Sequence, residues 1–163
     1  MSISMYRASI PVFIRALDNL SAILKKGEAH EGSASFIEAR LAPDMLTLAG
    51  QVQRASDAAK AGVARLCGID NPSFPDTEKT FAELHARIKK TIDFLQSVKP
   101  EQIDGSEQKK IEFKAGQREL KFTGEDYLLG FVLPNFYFHV TAAYAILRHK
   151  GVQIGNMDYL GGS

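Results

Sequence analysis

Three separated stretches of the chain repeat apolar residues at alternating steps of four and three, a period that admits little besides amphipathic helices around a shared core. In the first, Tyr6, Ile10, Phe13, Leu17, Leu20 and Leu24 fall on one stripe. Pro11 lies within it, so either the helix begins there with proline in its first turn, or a longer helix is kinked. In the second, Met45, Leu48, Val52, Ala55, Ala59, Val63 and Leu66 form a stripe that Pro43 is expected to open and Gly68 to stop. In the third, Phe81, Leu84, Ile88, Ile92 and Leu95 recur, with Asp76 placed to cap the start and Lys99-Pro100 near the end. The connector from about Gly32 to Ala42 carries Phe36, Ile37 and Leu41, which are expected to cover one end of the bundle. The two-proline segment IDNPSFPD reads as a loop.

After Pro100 the period changes from helical to alternating. Ile111 and Phe113 precede Gly116, and Leu120 and Phe122 follow it, with charged residues between them. This is the pattern of a two-stranded hairpin with one apolar face. An isolated hairpin is marginal in water, so that face must lie on the bundle or on a partner. The stretch EDYLLGFVLPNFYFHVTAAYAILRHKG then supplies the fourth helix, which Pro134 is expected to divide into a short turn and a main segment. The tail VQIGNMDYLGGS has little periodicity and is expected to pack as an extended strip.

These elements predict an all-α fold: an up-and-down four-helix bundle with a small two-stranded β-hairpin inserted before the last helix, in one domain over residues 1–163. A chain of this length buries roughly 70% of the surface it exposes when unfolded, enough for a core without cross-links. The 20 basic and 19 acidic residues nearly cancel, which argues against nucleic acid as a partner. The acidic residues are expected mostly on exposed helix faces. The single cysteine, Cys67, fits a reducing compartment and reads as a half-buried apolar residue. The first residues lack the pattern of a signal peptide, and no stretch nears the ~20 apolar residues of a membrane span. A cytoplasmic location is expected.

Chemistry concentrates on the fourth helix. At about 100° per residue, His139 shares a face with Phe136, Ala142, Ala143 and Ile146, which turns its imidazole into the apolar side of the bundle. Such a group is either a core histidine bonded to a facing helix, or a ligand or general base in a pocket. Gln51, Gln53 and Ser56 on the second helix, with Asn135 and Ala143 on the fourth, are the residues expected to line that pocket. Tyr137, Thr141, Tyr144 and Arg148 form the opposite face, expected to meet the hairpin, the tail or a second subunit; a homodimer is one reading. His85 is expected at a boundary, and His30 and His149 at helix ends.

The stretch PNFYFHVTAAYAILRHKGVQIGNMDYLGG, with LAPDMLTLAGQVQRASDAAKAGVARLCGID and DTEKTFAELHARI upstream, resembles a bacterial domain-of-unknown-function branch of the DinB/YfiT-like metalloenzyme superfamily. The resemblance runs nearly end to end. It implies a four-helix bundle, often dimeric, with a divalent metal held by one histidine from the second helix and an H-x-x-x-H pair on the last. Some members are thiol transferases. In this chain His139 falls at the first position of the pair, but Ala143 stands at the second, and the second helix holds no histidine. Carboxamides bind transition metals weakly beside imidazole, so no metal cofactor is expected; a zinc or nickel ion, if bound, would take His139 and Asp57. Two readings follow: a bundle that has lost its metal site and keeps a small-ligand cleft near His139 or a dimerisation role, and an active enzyme using His139.

Overall fold

In the computed structural model, which describes residues 2–162, the chain forms helices α1 (Met5–Glu28), α2 (Leu48–Cys67), α3 (Phe81–Gln96) and α4 (Pro100–Ile103). The hairpin strands β1 (Lys110–Ala115) and β2 (Arg118–Thr123) follow, then helices α5 (Gly124–Tyr127), α6 (Leu133–His149) and α7 (Asn156–Leu160). The predicted stripes are the core. Ile10, Phe13, Leu17, Leu20 and Leu24 of α1 are fully buried against Val52, Ala59 and Val63 of α2, Leu84 and Leu95 of α3, and Phe136 and Ala143 of α6. Pro11 sits inside α1 rather than at its start, on the exposed side, where the missing N–H faces water.

The helix starts differ from the sequence reading. Pro43 lies in the turns before α2; the helix begins five residues later, after Thr47, which caps it by accepting a hydrogen bond from the Gly50 N–H. Met45 is therefore outside the helix. Helix α3 is capped not by Asp76 but by Thr80, in a reciprocal box with Glu83, because Arg87 draws the Asp76 carboxylate away at 3.0 Å. The stop is as read: Gly68 takes the left-handed conformation, φ 69°, that ends α2.

Four long helices make the bundle, and contacts at two levels fix their directions. Phe13 meets Phe136 with ring centroids 4.9 Å apart, and Gly27 lies against Leu147, so α1 and α6 run parallel. Ser21 meets His85, and the Tyr6 N–H meets Asp104 beyond the far end of α3, so α3 opposes α1. Gln51 meets His139 and Gly62 meets Val132, so α2 opposes α6. The order along the chain is up, down, down, up, because residues 68–80 return as an extended strap along α2 and α3. Around the bundle the order is α1, α3, α2, α6.

Phe36 and Ile37 of the connector are buried as expected, whereas Leu41 is exposed. Backbone bonds from Leu48 to Ala39 and from Ala49 to Ile37 fasten the connector to the first turn of α2. At the other end the hairpin pairs Ile111 with Phe122 and Phe113 with Leu120. Its apolar face docks on the bundle itself: Phe113, Phe122, Tyr127 and Phe131 form one aromatic cluster with centroids 5.4–6.2 Å apart, and the Arg65 guanidinium lies 4.2 Å from the Phe113 ring centre.

Pro134 does not divide the fourth helix. A π-helical turn, Leu128–Val132, absorbs the proline's missing donor, and one helical run extends from Gly124 to His149. At 26 residues this run is long and apolar enough to cross a membrane by length and composition, which corrects the sequence estimate. It packs within the bundle beside α2 and α1. The tail also departs from expectation. Asn156–Leu160 forms a short helix, with Asp158 accepting the Gly155 N–H at 2.8 Å; five residues are too few for a readable period.

Candidate functional site

His139 and Gln51 meet across the α2–α6 seam. The Gln51 Oε1 accepts from the His139 Nδ1–H at 2.7 Å, while its amide nitrogen is turned towards the Leu46 carbonyl. Gln51 is buried and His139 half-buried. Withdrawal from water, and secondarily the Arg54 charge, hold the His139 pKa below its ordinary value. With its proton on Nδ1, the neutral ring carries a lone pair on Nε2. Among the described residues that atom has no hydrogen-bond partner, and it is not sealed from solvent. The pair is thus a positioned acceptor, able to take a hydrogen bond or a proton from a small molecule.

The other expected pocket residues separate. Ser56 faces α3, where its hydroxyl meets Thr91 at 2.7 Å, and Gln53 donates to Glu78 at 2.9 Å. Ala143 is buried one turn after His139. Asn135 is half-buried one turn before it. Asp57 does not join His139: its carboxylate contacts Arg87 at 2.8 Å, Arg54 at 3.2 Å and Lys60 at 3.4 Å, on the α3 side of α2. Among the described residues no three His, Cys, Asp or Glu side chains converge as a metal site would require. His139, Gln51 and Ala143 together offer one imidazole, one carboxamide and one methyl group, and this set does not fit a tightly held transition metal.

A groove of about 390 Å³ between the connector and α6 is lined by Leu41, Met45, Tyr137, Phe138, Thr141, Ala142 and Ala145; its α6 residues are neighbours of His139 along the helix, but His139 itself does not line the groove. Its walls are almost wholly apolar, and Phe138, edge-on to the His139 ring at 5.2 Å, is more than half exposed. Sequence reasoning missed it. The signal was present: Phe138 is a large apolar residue off the core stripe, and Leu41 and Met45 stand in a connector otherwise rich in polar residues.

The tail covers most of the second face of α6. Thr141 bonds the Tyr159 hydroxyl at 3.0 Å, Tyr144 packs edge-on against the Tyr159 ring and reaches the Ile154 carbonyl, and Arg148 points to the Val152 carbonyl. Asn19 and Arg15 of α1 hold the Tyr159 and Leu160 carbonyls at 3.0 and 2.7 Å. Of the four residues only Tyr137 and Thr141 also line the groove.

A second polar cluster pins the strap. Arg87 is buried yet bonds Asp57, Asp76 and Glu78 at 2.8–3.2 Å and the Pro75 carbonyl at 3.2 Å. Lys60, equally buried, donates to the Pro72 carbonyl at 2.6 Å with its ammonium 4.1 Å from the centre of the Phe74 ring. Burial lowers the Lys60 pKa, partly opposed by Asp57. Asp57 and Glu78 thus depart from the exposed, solubilising role expected of the acidic residues. Nothing in a single sequence shows that an arginine on the polar side of α3 will be roofed by a loop.

The family model described as Domain of unknown function (DUF1993) matches residues 5–160. Among solved structures, the crystal structure of a DinB family member protein from Shewanella denitrificans is 36% identical, covers 97% of this chain and 92% of its own, and superposes with a TM-score of 0.87. No curated protein matches the chain.

Proposed function

The chain belongs to the DUF1993 family, whose fold is DinB-like, and from that premise we propose that it is a cytoplasmic, metal-independent bundle that binds a small molecule beside His139. The observation that carries the reading is the Gln51–His139 bond. A buried carboxamide fixes the imidazole tautomer and leaves Nε2 as a single directed acceptor. The adjoining groove, with Ala142 three residues along the same helix, offers an apolar wall for the body of a ligand. The ligand class is an uncharged molecule with an apolar body and one hydroxyl, amide or thiol donor.

The decisive measurement is elemental analysis of protein purified without chelator. Substoichiometric zinc and nickel are expected. One metal ion per chain that disappears in His139→Ala would overturn the reading. Groove occupancy is read with anilinonaphthalene sulfonate as probe: saturable binding at one site, abolished by Ala145→Phe, is expected, and an unchanged isotherm counts against the cleft.

A second reading is that His139 acts as a general base, which its free Nε2 and depressed pKa favour. A third role is homodimerisation through the strip of Leu41, Tyr137 and Phe138, each more than a third exposed. Sedimentation at micromolar concentration separates it: a monomer whose state is unmoved by Phe138→Glu removes the dimer.

A further inference from the structure

On the opposite side of the bundle, between α1 and α3, Ser21, His85 and Glu28 stand in a row. The Ser21 Oγ lies 2.8 Å from His85 Nδ1, and His85 Nε2 lies 3.7 Å from the Glu28 carboxylate. Other hydroxyls inside these helices bond back to the preceding turn: Ser9 to the Met5 carbonyl at 2.6 Å, Thr91 to the Arg87 carbonyl at 2.8 Å. Ser21 makes no such bond, and His85 is its one partner.

The direction of the proton follows from Glu28. A lone pair on Nε2 would face a carboxylate, whereas an Nε2–H faces it favourably, so the neutral ring carries its proton on Nε2 and accepts from Ser21 on Nδ1. His85 Nε2 is buried with no hydrogen-bond partner, which leaves Glu28 as the group that would close on it. Burial lowers the His85 pKa against the opposing pull of Glu28, so the ring is a neutral base at pH 7. Ser21 and His85 both line an open cleft of about 290 Å³, with Asp18, Ile88, Lys89 and Ile92 among its walls.

We propose that Ser21, His85 and Glu28 form an acyl-transfer site that cleaves small activated carboxylic esters. Ser21 Oγ attacks the ester carbonyl carbon as its proton passes to His85 Nδ1, and Glu28 holds the imidazolium so formed. Collapse of the adduct breaks the ester C–O bond, and the leaving alkoxide takes the proton from Nδ1. Water, giving a proton to Nδ1, then attacks the acyl carbon; the acid departs and the proton returns to Ser21. The net change is ester plus water to acid plus alcohol. Lys89 on the cleft wall is the cation assigned to the developing oxyanion, while Lys25 acts on His85 by opposing its protonation. The Lys89 side chain is largely exposed and bonded only to Asp93, so it is free to turn. One mobile ammonium in place of fixed N–H donors restricts the site to esters with good leaving groups, such as aryl esters.

The test uses the full chain with p-nitrophenyl acetate as substrate and an alkyl fluorophosphonate as trap. One phosphonyl group per chain, mapped to Ser21 by peptide mass, is expected. Ser21→Ala should lose both label and turnover, and His85→Gln should slow hydrolysis about 100-fold or more, while the surface control His149→Gln leaves it unchanged. Ser21→Cys, which preserves a nucleophile at the same place, should be acylated on the introduced thiol. Glu28 is a positioning residue: Glu28→Gln should move the acid limb of the pH–rate profile to lower pH, because the imidazolium loses its carboxylate. Label on any other residue, or hydrolysis by Ser21→Ala at the native rate with an unchanged melting curve, overturns the proposal.

Discussion

Replacing Arg87 by methionine tests whether the buried ion cluster holds the strap of residues 68–80 to the bundle. The substitution keeps most of the aliphatic volume and removes one charge that three carboxylates share. Two effects oppose. The guanidinium no longer has to be withdrawn from water, but its partners lose their counter-charge. Asp57 and Asp76 are 32% and 39% exposed and regain hydration cheaply, whereas Glu78, at 11%, does not and retains Gln53 and its own backbone N–H as donors. One-sided removal of a buried ion partner costs about 3–5 kcal/mol, and the accessible carboxylates place this case at the lower end, about 3 kcal/mol. At about 2–4 °C per kcal/mol for a domain of this size, the melting temperature should fall by roughly 6–12 °C. Urea denaturation gives the free energy, and amide exchange gives the location: amides of residues 70–80 should lose more protection than those of α6. A loss below about 1 kcal/mol, or loosening spread evenly over the helices, would refute the assignment of Arg87 as the anchor of the strap.

Gln51→His combined with Ala143→His places three imidazoles at the α2–α6 seam; this double variant should take up one zinc or nickel ion per chain where the native protein is expected to take substoichiometric metal, as read by elemental analysis after dialysis. His139 and His85 both have pKa values held below the ordinary 6.5 by burial. The unfolded chain therefore binds their protons first, so stability is full above about pH 6.5 and falls as the pH drops below it. His139→Gln should flatten the pH dependence of the urea midpoint in that window, and an unchanged slope would exclude a buried neutral ring. A Cβ on Gly62 would stand 2.5 Å from Val132 Cγ1, so Gly62→Ala should cost about 1–3 kcal/mol through overpacking of α2 on α6. Adding Val132→Ala should return part of that loss, which a double-mutant cycle measures as coupling.

The stripes of α1, α2 and α3 were legible because burial of one face follows the 3.6-residue period whatever the partner. The hairpin was legible because alternation of Ile111, Phe113, Leu120 and Phe122 has no helical reading. Helix starts were not, because a cap is chosen by competition: Asp76 and Thr80 both suit α3, and only the tertiary claim of Arg87 on Asp76 decides. At the candidate site, His139 could be placed on the core side from helical phase, with Ala143 one turn further on. Which polar residue of α2 would answer it could not, since Gln51 and Gln53 lie about 100° to either side of the Val52 stripe and the sequence does not say on which side α6 sits. Pro134 misled for a related reason, because the π-helical turn that accommodates it has no composition of its own.

The up, down, down, up order has a consequence for how the chain leaves the ribosome. Helix α1 packs chiefly on α3, α7 and α6, and only lightly on α2, which follows it in sequence. The apolar stripe of α1 is therefore without its last neighbour until residues beyond 133 have emerged. A bundle wired by adjacent hairpins can bury its first two helices on each other at once, but this one must wait for nearly its whole length. Its folding should be slow for a helical protein, and in that interval a chaperone that shields exposed apolar helices would find the nascent α1.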